Sequence, residues 1–354
     1  MRKIGFRYNL LRGGAHYAQL RADESAVPVI RMDDGGAIKM SFSGTFAPMA
    51  LDADGRAVQP NWLTDEIQPV LRVDNVNHPL GVFLPATVRE ETADGIESVK
   101  IDAYDRCWRV RDTNSASLLY WPAGTLYLDA VEQLLTAAGI QTVFKTPNAD
   151  EFAEAREDWE PGASYLTVAN QLLAEINYKP VWFDENGIAI LEPAAVPDAS
   201  AIRQRFDSAD KGTRMLRQLN RETDVWSAPN VFTVSCANPD KGDLMTATAS
   251  NDNPQSPLST VRRGRRICSY TQVDNIPDQA ALEAYAEKLR NESMITGEEI
   301  TVMTGLRAGF GVDTVVGLRF GDLTAIGIET GFEMRLEVGG QMTHHIKRVV
   351  YNLD

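Results

Sequence analysis

The sequence predicts an α+β chain that is mainly β, with two β-barrel-like domains flanking a small α+β domain. Three observations carry this. The C-terminal stretch is a run of strands divided by glycine turns: Phe332-Glu-Met-Arg-Leu-Glu-Val and Met342-Thr-His-His-Ile-Lys-Arg-Val both alternate apolar and polar residues, as half-buried strands do. Such an ending builds a barrel or sheet wall. Residues 27–110 show the same period of two. Between these β regions lie two segments with apolar residues at helical spacing, giving the order β, αβ, β.

Residues 1–115 form the first β domain. Ala37-Ile-Lys-Met-Ser-Phe-Ser-Gly-Thr-Phe alternates, and Asp52-Ala-Asp-Gly55 is a turn. Residues 67–74 are a strand, with Pro69 placing it at an edge or at its own beginning because proline donates no ladder hydrogen bond. Asn75-Val-Asn-His follows as a turn. Residues 80–85 and 86–92 lead to Ala93-Asp94-Gly95, and Asp-Gly is a strong hairpin signal. In the return strand 97–108, Val99, Ile101 and Ala103 share one face, while Lys100, Asp102 and Tyr104 share the other.

Residues 116–195 form the small α+β domain. A helix over 126–138 has Leu128, Val131, Leu134 and Leu135 on one face and Gly139 as its stop. A second helix over 164–176 buries Leu166, Ala169, Leu172, Leu173 and Ile176, with Ser164 as N-cap. Asn186-Gly187 joins two apolar runs as a hairpin. Residues 196–229 are a linker or irregular segment returning to the barrels. Residues 230–354 form the second β domain, with a helix over 278–294 (Leu282, Tyr285, Ala286, Leu289) packed beside it. No internal repeat at a solenoid period is evident.

At roughly 100–200 residues per domain, 354 residues imply two or three domains. The chain has 49 Asp and Glu against 35 Lys and Arg, a net charge of −14. Tight binding of nucleic acid needs a basic face and is not indicated. Cys107, Cys236 and Cys268 are odd in number and far apart, so neither a disulfide framework nor a zinc knuckle is expected. The N-terminus has no apolar core for a signal peptide, and no run approaches the ~20 apolar residues of a membrane helix.

No catalytic, cofactor-binding or metal-binding residue is assigned. Of His16, His78, His344 and His345, the last two are adjacent in a strand and point to opposite faces, so they cannot share one metal. Gly305-Leu-Arg-Ala-Gly309-Phe-Gly311 lacks the spacing of a phosphate loop and precedes strands. The carboxylates of 150–158 read as the solvated face of a helix. Asp52-Ala-Asp54-Gly55 is only the stub of a calcium loop. One basic cluster stands out: Arg262, Arg263, Arg265 and Arg266, in a loop. It is short and aromatic-poor for nucleic-acid readout, and it suits a contact between subunits in which arginine forks meet a neighbour's carboxylates.

Three segments together resemble the hub family of bacteriophage tails and baseplates, which also occurs in related contractile injection systems. They are Asn75-Val-Asn-His-Pro-Leu-Gly-Val-Phe-Leu-Pro through Val99-Lys-Ile-Asp-Ala-Tyr-Asp-Arg; Asp158-Trp-Glu-Pro-Gly with Asn170-Gln-Leu-Leu-Ala-Glu-Ile-Asn-Tyr and Trp182-Phe-Asp-Glu-Asn-Gly; and the C-terminal strands. Their order, more than any one motif, carries the likeness. The resemblance implies that the two barrels are tail-tube-like and that three copies form a homotrimeric ring. Such a ring joins a six-fold tail tube or distal tail protein to a three-fold spike or fibre. It also implies contact with a tape-measure protein, passage of DNA without specific binding, no membrane insertion, and a place in the virion tail after synthesis in the host cytoplasm. Some relatives carry a C-terminal wall-degrading domain; with the sequence stopping at Asp354, none is expected here. Two other readings stay open: a hydrolase of cell-wall polysaccharide or peptidoglycan, and a receptor- or carbohydrate-binding tail module using Trp108, Trp121, Trp159, Trp182 and Trp226.

Overall fold

A computed structural model describes residues 3–23, 26–93, 95–194, 199–223, 226, 228–237, 244–273, 276, 278–293 and 295–349. The chain is mainly β and divides into two compact units. The first is Met1–Ala194 with Gly305–Val312 and Gly331–Met342; the second is Ala195–Thr304 with Asp313–Thr330 and Thr343–Asp354.

The first unit opens with ten strands: β1 (Ile4–Arg12), β2 (Ala15–Leu20), β3 (Val29–Asp33), β4 (Met40–Phe46), β5 (Ala50–Asp52), β6 (Ala57–Val58), β7 (Glu66–Val73), β8 (Val76–Pro79), β9 (Phe83–Ala93) and β10 (Ile96–Asp105). They follow the order β3-β4-β10-β9-β7-β1-β2-β5-β6, with β8 on β7. Alternation drives this sheet. Val99, Ile101 and Ala103 of β10 are buried while Lys100 and Tyr104 are exposed. Phe42, Phe46, Ile67, Leu71 and Phe83 fill the core, with the Tyr8 and Phe46 rings edge to face at 5.2 Å.

Several local readings need correction. Pro69 lies opposite Tyr8 inside a strand flanked by β1 and by β8 and β9. Its carbonyl accepts from Leu80 N, so its missing N–H faces residues 80–82, where the chain leaves the ladder between β8 and β9. The turn after β7 is Asp74-Asn75, both left-handed at φ 49° and 72°, the geometry of a two-residue hairpin. Val76–Pro79, including His78, is therefore strand β8. Residues 83–93 form one strand rather than two. Asp94 of the expected hairpin lies outside the described residues. The return strand stops at Asp105, whose carboxylate accepts from Cys107 N at 2.9 Å and starts α1 (Cys107–Asp112).

The rest of this unit is β11 (Leu119–Trp121), α2 (Tyr127–Ala137), β12 (Val143–Lys145), β13 (Arg156–Trp159), α3 (Tyr165–Glu175), β14 (Trp182–Phe183) and β15 (Ala189–Leu191). Both predicted helices form, and their leucines share one core with Phe152, Val181 and Phe183. Ser164 stands at the N-cap position but its hydroxyl donates to Arg111 O instead. The acidic segment is solvated but not helical: β13 pairs with β11, and Arg156 binds Asp158 and Glu175 at 2.5 and 2.7 Å. Asn186-Gly187 belongs to a longer turn, because Asp184 accepts from both Asn186 N and Ile188 N.

This block contains an internal duplication. With an offset of 38, Trp121, Gly124, Tyr127-Leu128, Gln133-Leu-Leu135 and Val143 fall on Trp159, Gly162, Tyr165-Leu166, Gln171-Leu-Leu173 and Val181. The structure repeats with it. Each indole donates to its glutamine, at 3.0 Å for Trp121–Gln133 and 2.6 Å for Trp159–Gln171. Each helix ends in a left-handed residue, Gly139 or Asn177. The start of each copy docks on the other's helix: Tyr165 N donates to Thr113 O, and Tyr127 N to Asp150 O. Strands β12 and β14 run in opposite senses on either side of β15, with Phe144 and Trp182 both opposite Ile190. These relations are those of an approximate dyad through β15.

The second unit contains β16 (Gln204–Asp207), β17 (Leu219–Thr223), β18 (Val231–Ala237), β19 (Leu244–Ser250), α4 (Thr260–Arg263), β20 (Cys268–Val273), α5 (Gln279–Ser293), β21 (Ile295–Gly305), β22 (Val315–Phe320), β23 (Leu323–Arg335) and β24 (Gln341–Val349). Its main sheet runs β17-β21-β24-β23-β22-β16. Residues 196–229, read as irregular, thus contribute two strands. Of the expected helix 278–294, residue 294 lies outside the described residues. Leu282 and Ala286 of α5 pack on Val234, Cys236, Ala247 and Ala249 of a separate three-stranded sheet, β19-β18-β20. So small a sheet cannot bury its apolar face alone, and α5 covers it. Residues 331–335, at the end of β23, belong to the first unit, where they pair with β3.

Candidate interface site

The four arginines lie in the second unit, around α4, and the segment is not a plain loop. Ser259 Oγ accepts from Arg262 N at 3.2 Å, an N-cap. Gly264, left-handed at φ 62°, ends the turn, a conformation open to glycine at little cost. Two buried asparagines fix the surroundings. Asn230 donates to Leu258 O and Arg265 O and accepts from Ile267 N at 2.7 Å. Asn251 donates to Ser256 Oγ at 3.1 Å. Nothing in the sequence around Asn230 marks it as structural; for Asn251 the run of turn formers over 251–257 is the one signal.

Two of the four side chains, those of Arg263 and Arg265, gather around Trp226. Arg263 donates to Ala228 O and to Trp226 O, the latter at 2.9 Å. Arg265 donates to Trp226 O at 3.1 Å, and its guanidinium stands 4.5 Å from the centre of the indole ring. Arg266 donates to Ser250 Oγ, and Arg262 is exposed. Trp226 nevertheless keeps 75% of its surface, Tyr270 65% and Val261 61%. The result is a preorganised basic and aromatic patch. Arginine and tryptophan in such a setting are the residue types that dominate protein interfaces. The sequence reading assigned the arginines to a neighbour's carboxylates and named Trp226 only in the carbohydrate-binding alternative, because it lies outside the basic run.

The other groups considered for chemistry have hydrogen-bond partners within the fold or are exposed. His344 and His345 do point to opposite faces. His344 is fully buried, 2.5 Å from Glu329 and 2.8 Å from Thr304 Oγ1, while half-exposed His345 meets Glu299 at 2.9 Å. Burial pushes the Glu329 carboxyl well above the usual carboxylate range. Burial also raises Asp105 to about 6, against the pull of the N–H groups of Met40 and Cys107. Asp52 accepts from Asp54 N and Arg56 N, which makes a turn between β5 and β6. Glu157 and Asp158 are exposed. Among the described residues no group of three His, Cys, Asp or Glu is placed to hold a metal, and no helix is long and apolar enough to cross a membrane. Of the tryptophans considered for carbohydrate binding, Trp121 and Trp182 are buried, Trp108 and Trp159 are half-buried, and Trp226 is exposed.

No family model and no curated protein matches the chain. Solved structures do. A tail protein from Neisseria meningitidis MC58 superimposes with a TM-score of 0.66 at 14% identity, covering 97% of this chain and 96% of that one. The 43 kDa tail protein of prophage MuSo2 from Shewanella oneidensis gives 0.65 at 10% identity, over 97% and 98%. Prophage tail protein gp18 from Listeria monocytogenes gives 0.57 at 10% identity, over 96% and 94%. At such identities the shared property is the fold, and it runs through nearly the whole length of all these chains. In fold, this chain is similar to solved phage and prophage tail proteins.

Proposed function

We propose that this chain is the structural hub of a phage tail or a phage-like injection particle. Three copies form a ring that joins a six-fold tube to a three-fold spike or fibre, and DNA and a tape-measure protein pass through it. The observation that supports this most is the match in fold to tail proteins over almost the whole of both chains. The two β-rich regions with the α+β block between them supply the two tube-like modules per copy that three-to-six matching needs. The protein works as a part of the assembly rather than as an enzyme. Its site is the patch of Arg262, Arg263, Arg265 and Arg266 around Trp226, which meets a neighbouring subunit or tail protein. The excess of carboxylates lines the channel, since a basic lumen would hold DNA through its phosphates.

Sedimentation of the purified chain and electron microscopy of the particle test this. The expected result is a trimer in solution and a ring at the tail tip. A chain that stays monomeric, with its density elsewhere in the particle, overturns the reading.

A further inference from the structure

The duplication in the α+β block leaves two equivalent positions in different states. Phe144 on β12 and Trp182 on β14 are related by the 38-residue offset. Both lie opposite Ile190 of β15, so the three side chains form one row across the sheet. The other face of that sheet packs Val181, Phe183, Ala189 and Leu191 into the helical core. The row therefore lies on the face away from the helices.

One end of the row is covered. Trp182 keeps only 7% of its surface. The segment 305–312 runs past it, and a Cβ placed on Gly311 would stand 3.0 Å from the indole Cζ3. Glycine backbone lies directly against the ring, and a side chain there would have to displace it. The same segment leaves the ladder at residues 306–311 and is anchored by Phe310, whose ring meets that of Phe332 edge to face at 6.3 Å. The other end of the row is open: Phe144 keeps 59% of its surface, and Ile190 is half-buried. β12 is also an edge of the sheet. Thr142 O and Thr146 N bond toward β15, so Val143 and Lys145 present their backbone groups on the opposite side, as strand geometry requires. An added strand could pair there.

We infer that Phe144 and Ile190 form a docking site for an extended, glycine-bearing segment of a different protein of the assembly, laid over Phe144 as the backbone at Gly311 is laid over Trp182. The inference rests on the hub reading for its claim that an assembly exists. The chain itself states the chemistry of the occupant, because its own segment solves the equivalent position with glycine backbone. The occupant is not residues 305–312 of a second copy, since that segment is engaged on its own Trp182.

The probe is a synthetic peptide with the sequence of residues 305–312, titrated into the isotope-labelled full chain and followed by amide NMR. The expected result is saturable shifts at 142–146 and 188–192, lost in Phe144→Asp, with binding weaker by about tenfold or more when valine replaces Gly311 of the peptide. Phe144 is largely exposed, so the variant should keep the parent's spectrum elsewhere; Phe144→Ala serves as a second variant. No shifts at millimolar peptide, or shifts confined to residues around Trp182, overturn the proposal. If Phe144→Asp lowers the oligomeric state of the free protein in sedimentation, the face is taken by a second copy, and the assignment to a different protein is wrong. The titration reads this site whether or not the chain forms a ring, so failure of the hub reading shows in sedimentation of the parent instead.

Discussion

Asp105 shows how much a single buried carboxylate decides. It accepts from Met40 N at 2.7 Å and from Cys107 N at 2.9 Å, and so ties the end of β10 to the start of β4 and of α1. Its folded pKa, about 6, lies above the value of 3.8 for a free side chain. The protonated form is therefore the one the fold favours. Its contribution is complete below about pH 4 and is lost as pH rises through 6. A difference of about two units corresponds to about 3 kcal/mol. Urea unfolding between pH 4 and 7 should show the parent losing up to that amount relative to Asp105→Asn as pH rises. A constant difference between the two proteins would refute the assignment. The sequence does not mark Asp105: Tyr-Asp-Arg reads as the polar end of a strand, and only the packing of two distant segments makes the carboxylate buried. Asn230 was hidden in the same way.

Elements were legible where a period was sustained. The alternation of β4 and β10 and the leucine spacing of α2 and α3 each stand in the sequence, because one buried face dictates them locally. What each element packs against was not legible. The amphipathic face of α5 predicts a helix, but nothing in it says that its target is the sheet β19-β18-β20 rather than the C-terminal strands. Glu151 to Glu160 carry the charges of a solvated helix, yet Trp159 and Arg156 find partners on β11 and α3, and the segment becomes a strand. The duplication escaped notice because its matched residues are scattered and each copy completes the other. At this scale, Leu282→Ala should cost about 2–5 kcal/mol, as a fully buried leucine does. Hydrogen exchange should speed up across β18 and β19 and stay unchanged in the first unit. Uniform loss of protection throughout both units would show that α5 supports more than its own small sheet.

For the whole molecule, charge sets the terms on which copies would meet in the proposed ring. A chain with a net charge of −14 repels its own copies, so a contact between subunits gains from any local basic patch. An exposed ion pair contributes only ~0–1 kcal/mol, but arginines held in place beside an exposed indole lose less freedom when a partner arrives. Changing Arg262, Arg263, Arg265 and Arg266 together to glutamate should weaken assembly, read as a lower oligomeric state in sedimentation at a given concentration. The isolated protein should stay folded and soluble, because these side chains lie outside the apolar cores. Normal assembly of that variant, or arginines found lining the channel, would remove the patch from the interface.

The exchanged docking of the two duplicated copies has a consequence for synthesis. The helix of the earlier copy, α2, receives its N-terminal backbone partner from Asp150, and the segment at Thr113 waits for Tyr165. The earlier copy is therefore incomplete when it leaves the ribosome. At roughly 5–20 residues per second, the earlier half stays open for seconds before the later half arrives, with the apolar faces of 128–135 uncovered. A nascent chain stalled between the copies would be a target for chaperones or a partner for its twin on a neighbouring ribosome. Pairing of two unfinished chains through these halves would make the swapped dimer the natural misassembly of this protein.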